Sequence, residues 1–194
     1  MEALEPGPPL PALHAHIRRG TALPGTNEAL MEGGIPDAAW EPLEGDDRKV
    51  ASALKKRNKQ AAAGQRGLET LWSDPLADAG AELDRALAEL EAASDANVSA
   101  LAAKAGRWQA VLDSAAYQHL KFVADAWCSA FVWPKQPGAL AEAAPTNQVW
   151  RQIRDRQGQP DPLTVGTIDA LARQYHFFHW PLAFRPVFKR GGFD

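Results

Sequence analysis

Two histidine pairs, one run of basic residues and a band of aromatic residues are the groups in this chain whose types and spacing bear on chemistry. His14 and His16 are separated by one residue, and His176 and His179 by two. Imidazoles are common ligands of transition metals, but neither spacing matches a helical zinc motif with its general base. The expected role of these histidines is therefore to donate to backbone carbonyls among aromatic neighbours, with no metal bound. The run Arg48, Lys49, Lys55, Lys56, Arg57 and Lys59 is the one local concentration of positive charge fit to track phosphates. Arg48, Lys55 and Lys59 can share a helical face and are the candidate nucleic-acid contacts. The competing expectation is a solvated face balanced by Asp46 and Asp47. Trp150, Arg151, Arg154 and Arg156 form a smaller set with the same two readings. The tryptophans at 40, 72, 108, 127, 133, 150 and 180 mostly fall at core spacing or helix ends. Phe177, Phe178 and Trp180 do not, and they are candidates to shape a base-binding pocket.

The elements that must position these groups are helical. A helix is expected from Asp46 to Ala62, where Val50, Ala53, Leu54 and Arg57 recur at helical spacing behind two acidic residues that favour an N-terminus. Trp72-Ser73-Asp74-Pro75 reads as the turn into the next helix. Leu83, Leu87 and Leu90 share one face, and Val98, Leu101, Ala105, Trp108 and Leu112 share another after a break at Ser94 to Asn97. Together they predict an antiparallel helical hairpin. A third helix, with Leu120, Val123, Trp127 and Phe131 inward, should be the most buried. Thr146 can cap a short helix through Arg156, and a last helix spans Thr164 to Tyr175. Residues 1–44 are rich in proline and glycine, with Leu13 to Ile17 the candidate strand there and Gly20 to Thr26 a loop. The Gly-Gly turn before Phe193-Asp194 is of the kind that opens a strand.

Composition narrows the classes. The 194 residues are 45% hydrophobic and 23% charged, which excludes global disorder, and the formal net charge of −3 gives no overall attraction to nucleic acid. A single cysteine, Cys128, excludes an intrachain disulfide and suits a reducing cytoplasm. The acidic, proline-bearing start from Met1 to Pro6 does not read as a secretory signal. The apolar stretch near Trp127 to Trp133 falls far short of the roughly 20 residues that span a bilayer, so no membrane association is expected. No glycine-rich phosphate or dinucleotide loop, Ser-His-Asp order or paired-carboxylate site stands out, so no catalytic residue is assigned.

The run from Tyr175 to Asp194 resembles the F-H-W-P-L-x-F-x-x-V-F-x-x-G-G-F-D stretch of large adenine-N6-specific DNA methyltransferases of restriction-modification and phage-defence systems. Leu13 to Thr26 is similar to the same family's L-x-x-H-I-x-x-G-N-S-L-x-G-T, and the likeness continues through Gly34-Ile35-Pro36-Asp37, Gly45-Asp46-Asp47 and Lys49 to Lys59. Thr21 and Ala22 depart from the family's Asn or Asp followed by Ser. The resemblance implies a mainly α chain: a helical insertion over residues 45–175, flanked by residues 1–44 and 176–194 as short segments of a Rossmann-like α/β methyltransferase domain. It implies S-adenosylmethionine as cofactor, with Gly20 and Thr21 on the cofactor side, and DNA and the remainder of the methyltransferase chain as partners. In the family the segment after Gly-Gly-Phe-Asp leads to a catalytic Asn-Pro-Pro-Trp or Asn-Pro-Pro-Tyr, which acts on an adenine flipped from the duplex. Neither tetrapeptide occurs in this sequence, so the expectation is an internal fragment, inactive alone. The alternative is a free-standing helical interaction module, antitoxin-like or adaptor-like, using residues 77–133. A small complete enzyme has least support.

Overall fold

In the computed structural model, which describes Gly20 and residues 25–63, 74–94 and 96–192, single polar side chains set most helix boundaries. Asp47 Oδ1 accepts from the Lys49 and Val50 amides at 2.7 and 3.0 Å and opens α2, Arg48–Ala63. This follows α1, Glu28–Met31, capped by Asn27, and a 3-10 turn at Asp37–Trp40. Asp74 caps α3, Pro75–Ala92, with Pro75 in its first turn, where a missing N–H is harmless. Asn97 caps α4, Val98–Asp113. Ser114 joins two helices by itself: its hydroxyl donates to Val111 O at 2.7 Å, closing α4, and accepts from the Tyr117 amide at 3.2 Å, opening α5, Ala115–Val132. The remaining helices are α6 (Ala139–Glu142), α7 (Asn147–Arg154), α8 (Pro162–Tyr175), α9 (Trp180–Ala183) and α10 (Arg185–Lys189). The protein is mainly helical, with no strand among the described residues and a single bridge residue at Phe177.

α5 is the axis of the molecule, and its run from Val123 to Ala130 is buried without interruption. One core gathers Trp40, Leu54, Val123, Trp127, Trp133, Trp150, Ile153 and Ile168 around it. A second, between α3, α4 and α5, holds Leu83, Leu87, Leu90, Val111 and Leu120. Polar groups fasten the first core. Ile35 is gripped on both sides, its amide donating to Asn147 Oδ1 at 2.8 Å and its carbonyl accepting from Asn147 Nδ2 and Asn58 Nδ2 at 2.9 Å each. Asn58 Oδ1 in turn accepts from the Asn147 amide at 2.9 Å. Gly34 makes this clasp possible: its φ of +74° is in the left-handed region, and an added Cβ would stand 2.3 Å from Asn147 Oδ1. Trp127 Nε1 donates to Gly34 O at 2.9 Å. Lys135, fully buried, places its ammonium 3.3 Å from Asp46 Oδ2 and 3.3 Å from Trp133 O.

Three expectations are corrected. The first long helix starts at Arg48, because Asp46 is held outside it: its carboxylate takes the amides of Leu43 and Lys135 at 3.0 Å each. The hairpin seam on α4 is only half-buried: Leu101, Ala105, Trp108 and Leu112 are partly covered, Val98 is 75% exposed, and Val111, outside the expected set, is the buried residue. The reason is that α3 packs principally along α5, leaving α4 to cover the edge of that pair. The lead-in at 176–192, expected as a segment of an α/β domain, is mainly helical in its described residues. It folds into α9 and α10; Phe184 between them and Val187 and Phe188 in α10 are half-buried, and of the segment's apolar residues Trp180 alone is exposed, at 38%. Leu13 to Ile17 and Phe193-Asp194 lie outside the described residues.

Candidate functional site

Where α8 ends, His176 adopts the left-handed conformation at φ 51° and turns the chain back across α5. This delivers His179 to Asp125, the one carboxylate on the apolar face of α5. His179 Nε2 lies 2.8 Å from Asp125 Oδ1, and Asp125 Oδ2 is paired with Lys121 Nζ at 2.5 Å. The Thr26 amide donates to His179 Nδ1 at 3.3 Å. That bond makes Nδ1 an acceptor and so places the ring proton on Nε2, facing the carboxylate. Thr26, Asp125 and His179 are all buried. With both nitrogens engaged, His179 is a pin between the segment at Thr26 and the segment at Phe178, which stand 153 residues apart in sequence.

The same junction is sterically tight. A Cβ on Gly25 would lie 2.0 Å from the Phe178 carbonyl oxygen, and one on Gly20 would lie 2.2 Å from the Phe178 ring. Gly25→Ala should therefore cost about 1 to 3 kcal/mol, because the obstacle is backbone and one of the two segments must shift. Gly33→Ala, with nothing within 4 Å, should cost little by comparison. Equal denaturant midpoints for the two variants would contradict the packing described.

A shallow cleft of about 380 Å³, counted to its open mouth, borders the junction and is lined by Thr26, Glu28, Met31, Leu120, His179 and Leu182 among others. Arg185 closes one side, with Nε on Asp84 Oδ1 at 2.6 Å, Nη2 on Asp84 Oδ2 at 3.3 Å and Nη1 on Glu28 Oε1 at 3.1 Å. Lys189 joins it on Asp84. One guanidinium thus ties α10 to both α3 and α1. Beyond it, Phe178, Trp180 and Phe184 form an aromatic trio with ring centroids 5.0 to 6.2 Å apart.

Burial alone would raise the carboxyl pKa of Asp84, but Arg185 and Lys189 outweigh it and hold the group below its usual range. Asp46 behaves alike, burial being overcome by the Leu43 and Lys135 amides and the Lys135 ammonium. His119, whose Nε2 meets Arg154 O at 3.0 Å, is pushed down by burial and then by Arg156. The signs agree on the acid side. A depressed histidine binds its proton more readily unfolded, so stability falls as pH drops below about 6.5; the depressed carboxylates add a second loss below about 4. Thermal melts from pH 8 to pH 3 should show both steps, and His119→Gln should remove the first. Cys128 acts at the other end: burial first, then Asp125, pushes its thiol up to about 12, so stability declines as pH rises past about 8.5.

Of the residues expected to act, Gly20 lies against Phe178, and Thr21, His14 and His16 fall outside the described residues. His176 is exposed and His179 buried on Asp125, so this pair does not converge on one point; among the described residues no three potential metal ligands cluster. Arg48, Lys55 and Lys59 fall within one side of α2, Arg48 and Lys59 exposed and Lys55 half-buried 3.7 Å from Glu41. Arg57 is used internally, donating to the carbonyls of Ala141, Glu142 and Ala144 at 2.9 to 3.4 Å. Arg151 donates to Ala61 O at 3.2 Å, and Arg154 pairs with Asp155 while lying over the Trp150 ring. The residues missed were Asp125, Thr26 and the Arg185–Asp84 pair. A charge at position 125 inside the most apolar helix was the available signal.

Comparison of the chain with protein-family models, with curated proteins and with solved structures finds no match.

Proposed function

We propose that this chain is the helical insertion, with its flanking segments, of an adenine-N6-specific DNA methyltransferase of the restriction-modification or phage-defence class, working in the cytoplasm. The observation that carries this reading is the junction at His179. Gly25-Thr26, from the stretch Leu13 to Thr26 that resembles the family, meets Phe178-His179, from the stretch Tyr175 to Asp194 that does too, through the Thr26 amide on His179 and the close approach of Gly25 to Phe178 O. The helices between them leave and return to one point. An insertion must do so if the domain that hosts it is to close around its own sheet. The Rossmann-like host domain belongs to the same proposal.

The residues described here do not form a cradle for S-adenosylmethionine. Gly20 spends its bare Cα on the Phe178 ring, and the cleft beside His179 is shallow. No step is therefore assigned to the cofactor through this chain. Its contribution is positional: His179, Asp125 and Arg185 fix the approach of the aromatic trio and of whatever follows Gly192. A free-standing interaction module would instead use α4, whose Val98 is exposed.

The test is methyl transfer from labelled S-adenosylmethionine to duplex DNA, followed by nucleoside analysis. A polypeptide that carries these residues together with an Asn-Pro-Pro-Trp or Asn-Pro-Pro-Tyr motif should yield N6-methyladenine, and the 194-residue chain alone should neither turn over nor bind the cofactor at micromolar concentration in calorimetry. Turnover by the 194-residue chain sinks the insertion reading. Label on cytosine sinks the adenine assignment.

A further inference from the structure

We infer that the outer face of α2 is a docking surface for the phosphate backbone of double-stranded DNA. α2 runs from Arg48 to Ala63 and contains six basic residues and no acidic one, in a chain whose net charge is −3. Its inward side is fixed by Ala51, Leu54 and Asn58, all buried. Two of the six cations, Lys55 and Arg57, are half-buried. Lys55 pairs with Glu41 on one flank, and Arg57 with Glu142 and three carbonyls on the other. The remaining four, Arg48, Lys49, Lys56 and Lys59, occupy an outward arc about 100° wide. All four are exposed and none makes an ion pair among the described residues. Glu41 and Glu142 are thus spent on the flanks, Asp47 is taken by the Lys49 and Val50 amides at the helix start, and the arc itself carries no acidic residue.

The arc is also the right length. Arg48 and Lys59 stand about 16 Å apart along the axis and Lys49 and Lys56 about 10 Å, at about 1.5 Å per residue. A duplex presents one phosphate charge per about 1.7 Å of its axis, so four ammonium and guanidinium groups over this span meet phosphates without needing a base edge. Ser52 lies within the arc and offers a hydroxyl donor. Binding of this kind is independent of sequence. A lipid surface is disfavoured because the apolar side of α2 is already covered by the core and has nothing to insert. The inference takes DNA as the polyanion from the methyltransferase reading, but the surface can be tested without any methylation.

The test is fluorescence anisotropy of a labelled 20-base-pair duplex with the 194-residue chain, titrated at several salt concentrations. The expected result is sequence-independent binding that weakens on the order of 100-fold between about 50 and 200 mM salt. The combined variant R48A/K49A/K56A/K59A should flatten the log–log salt slope by about one unit per side chain removed. The control R85A/R107A, which removes two exposed cations from α3 and α4, should leave the slope unchanged; circular dichroism checks that both variants fold. An unchanged slope in the fourfold variant, no binding at low salt, or equal binding to phosphatidylserine vesicles through the same four residues would each overturn the inference. Adenine methylation with DNA binding undisturbed in the fourfold variant would remove this surface and leave the methyltransferase reading intact. Binding through α2 with no methylation would do the reverse.

Discussion

His179→Ala should destabilise the protein by about 3 kcal/mol, as expected when a buried carboxylate loses a hydrogen-bond donor and a buried amide loses its acceptor. The loss has two parts. Asp125, buried and within 2.8 Å of the imidazole, keeps only Lys121 as a side-chain partner, and Thr26 loses the acceptor for its buried amide. A double-mutant cycle with Asp125→Ala isolates the pair, and the coupling should fall between about 0.5 and 3 kcal/mol. Cys128 supplies an independent readout. Its thiol is buried one turn beyond Asp125 and raised to about 12, so it should resist alkylation until the protein opens. Faster labelling of Cys128 in the alanine variant is the expected companion result. A coupling indistinguishable from zero would reduce His179 to a filler of space.

Trp127→Ala is the second large effect, at about 3 to 5 kcal/mol. The ring is 7% exposed, packs on Phe131 with centroids 4.9 Å apart, and fills the centre of the larger core. Its indole N–H also satisfies the Gly34 carbonyl, which no other side chain described here reaches. Trp127→Phe separates the two contributions by keeping most of the apolar volume and deleting the donor. It should lose about 1 to 2 kcal/mol, the net worth of a buried hydrogen bond and a small void. Denaturant unfolding of both variants measures this, and a loss below about 1 kcal/mol for the alanine variant would show that the ring is not where the core is.

Trp127 and its helix illustrate what the residue pattern carries by itself. Leu120, Val123 and Trp127 repeat at helical spacing, and all three are buried. Asp74-Pro75 marks a helix start because capping is local chemistry, read from adjacent residues, whereas α8, capped by Asp161, starts at Pro162, two residues before the expected Thr164. What periodicity does not carry is the identity of a helix's neighbour. The stripe on α4 is real as a pattern, yet α5 had already taken the face of α3 that the stripe seemed to match, and Val98 was left in solvent. The site was less legible still. Thr26, Asp125 and His179 have no common spacing, and nothing in a linear reading joins positions so far apart. His179 was singled out as a histidine, with no indication that it touches Thr26 or Asp125. Lys135 was invisible for a different reason. A lysine that is fully buried goes against the usual distribution of that residue, and only the carboxylate of Asp46 makes it tolerable.

The asparagine clasp on Ile35 has a consequence for the order in which the molecule assembles. Ile35 and Asn147 are separated by 112 residues, and Asn58 and Asn147 by 89. Helices of the length of α3, α4 and α5 form on the microsecond scale, whereas contacts across such spans wait for the intervening chain to close. The clasp cannot close until α2 and α7 have docked, since its two amide side chains come from those helices. The strip from Thr26 to Trp40 is therefore expected to be fastened late, after α3, α4 and α5 have paired. Until that strip docks, the Trp127 indole N–H lacks the Gly34 carbonyl and the Asn147 amide lacks the carbonyl of Ile35.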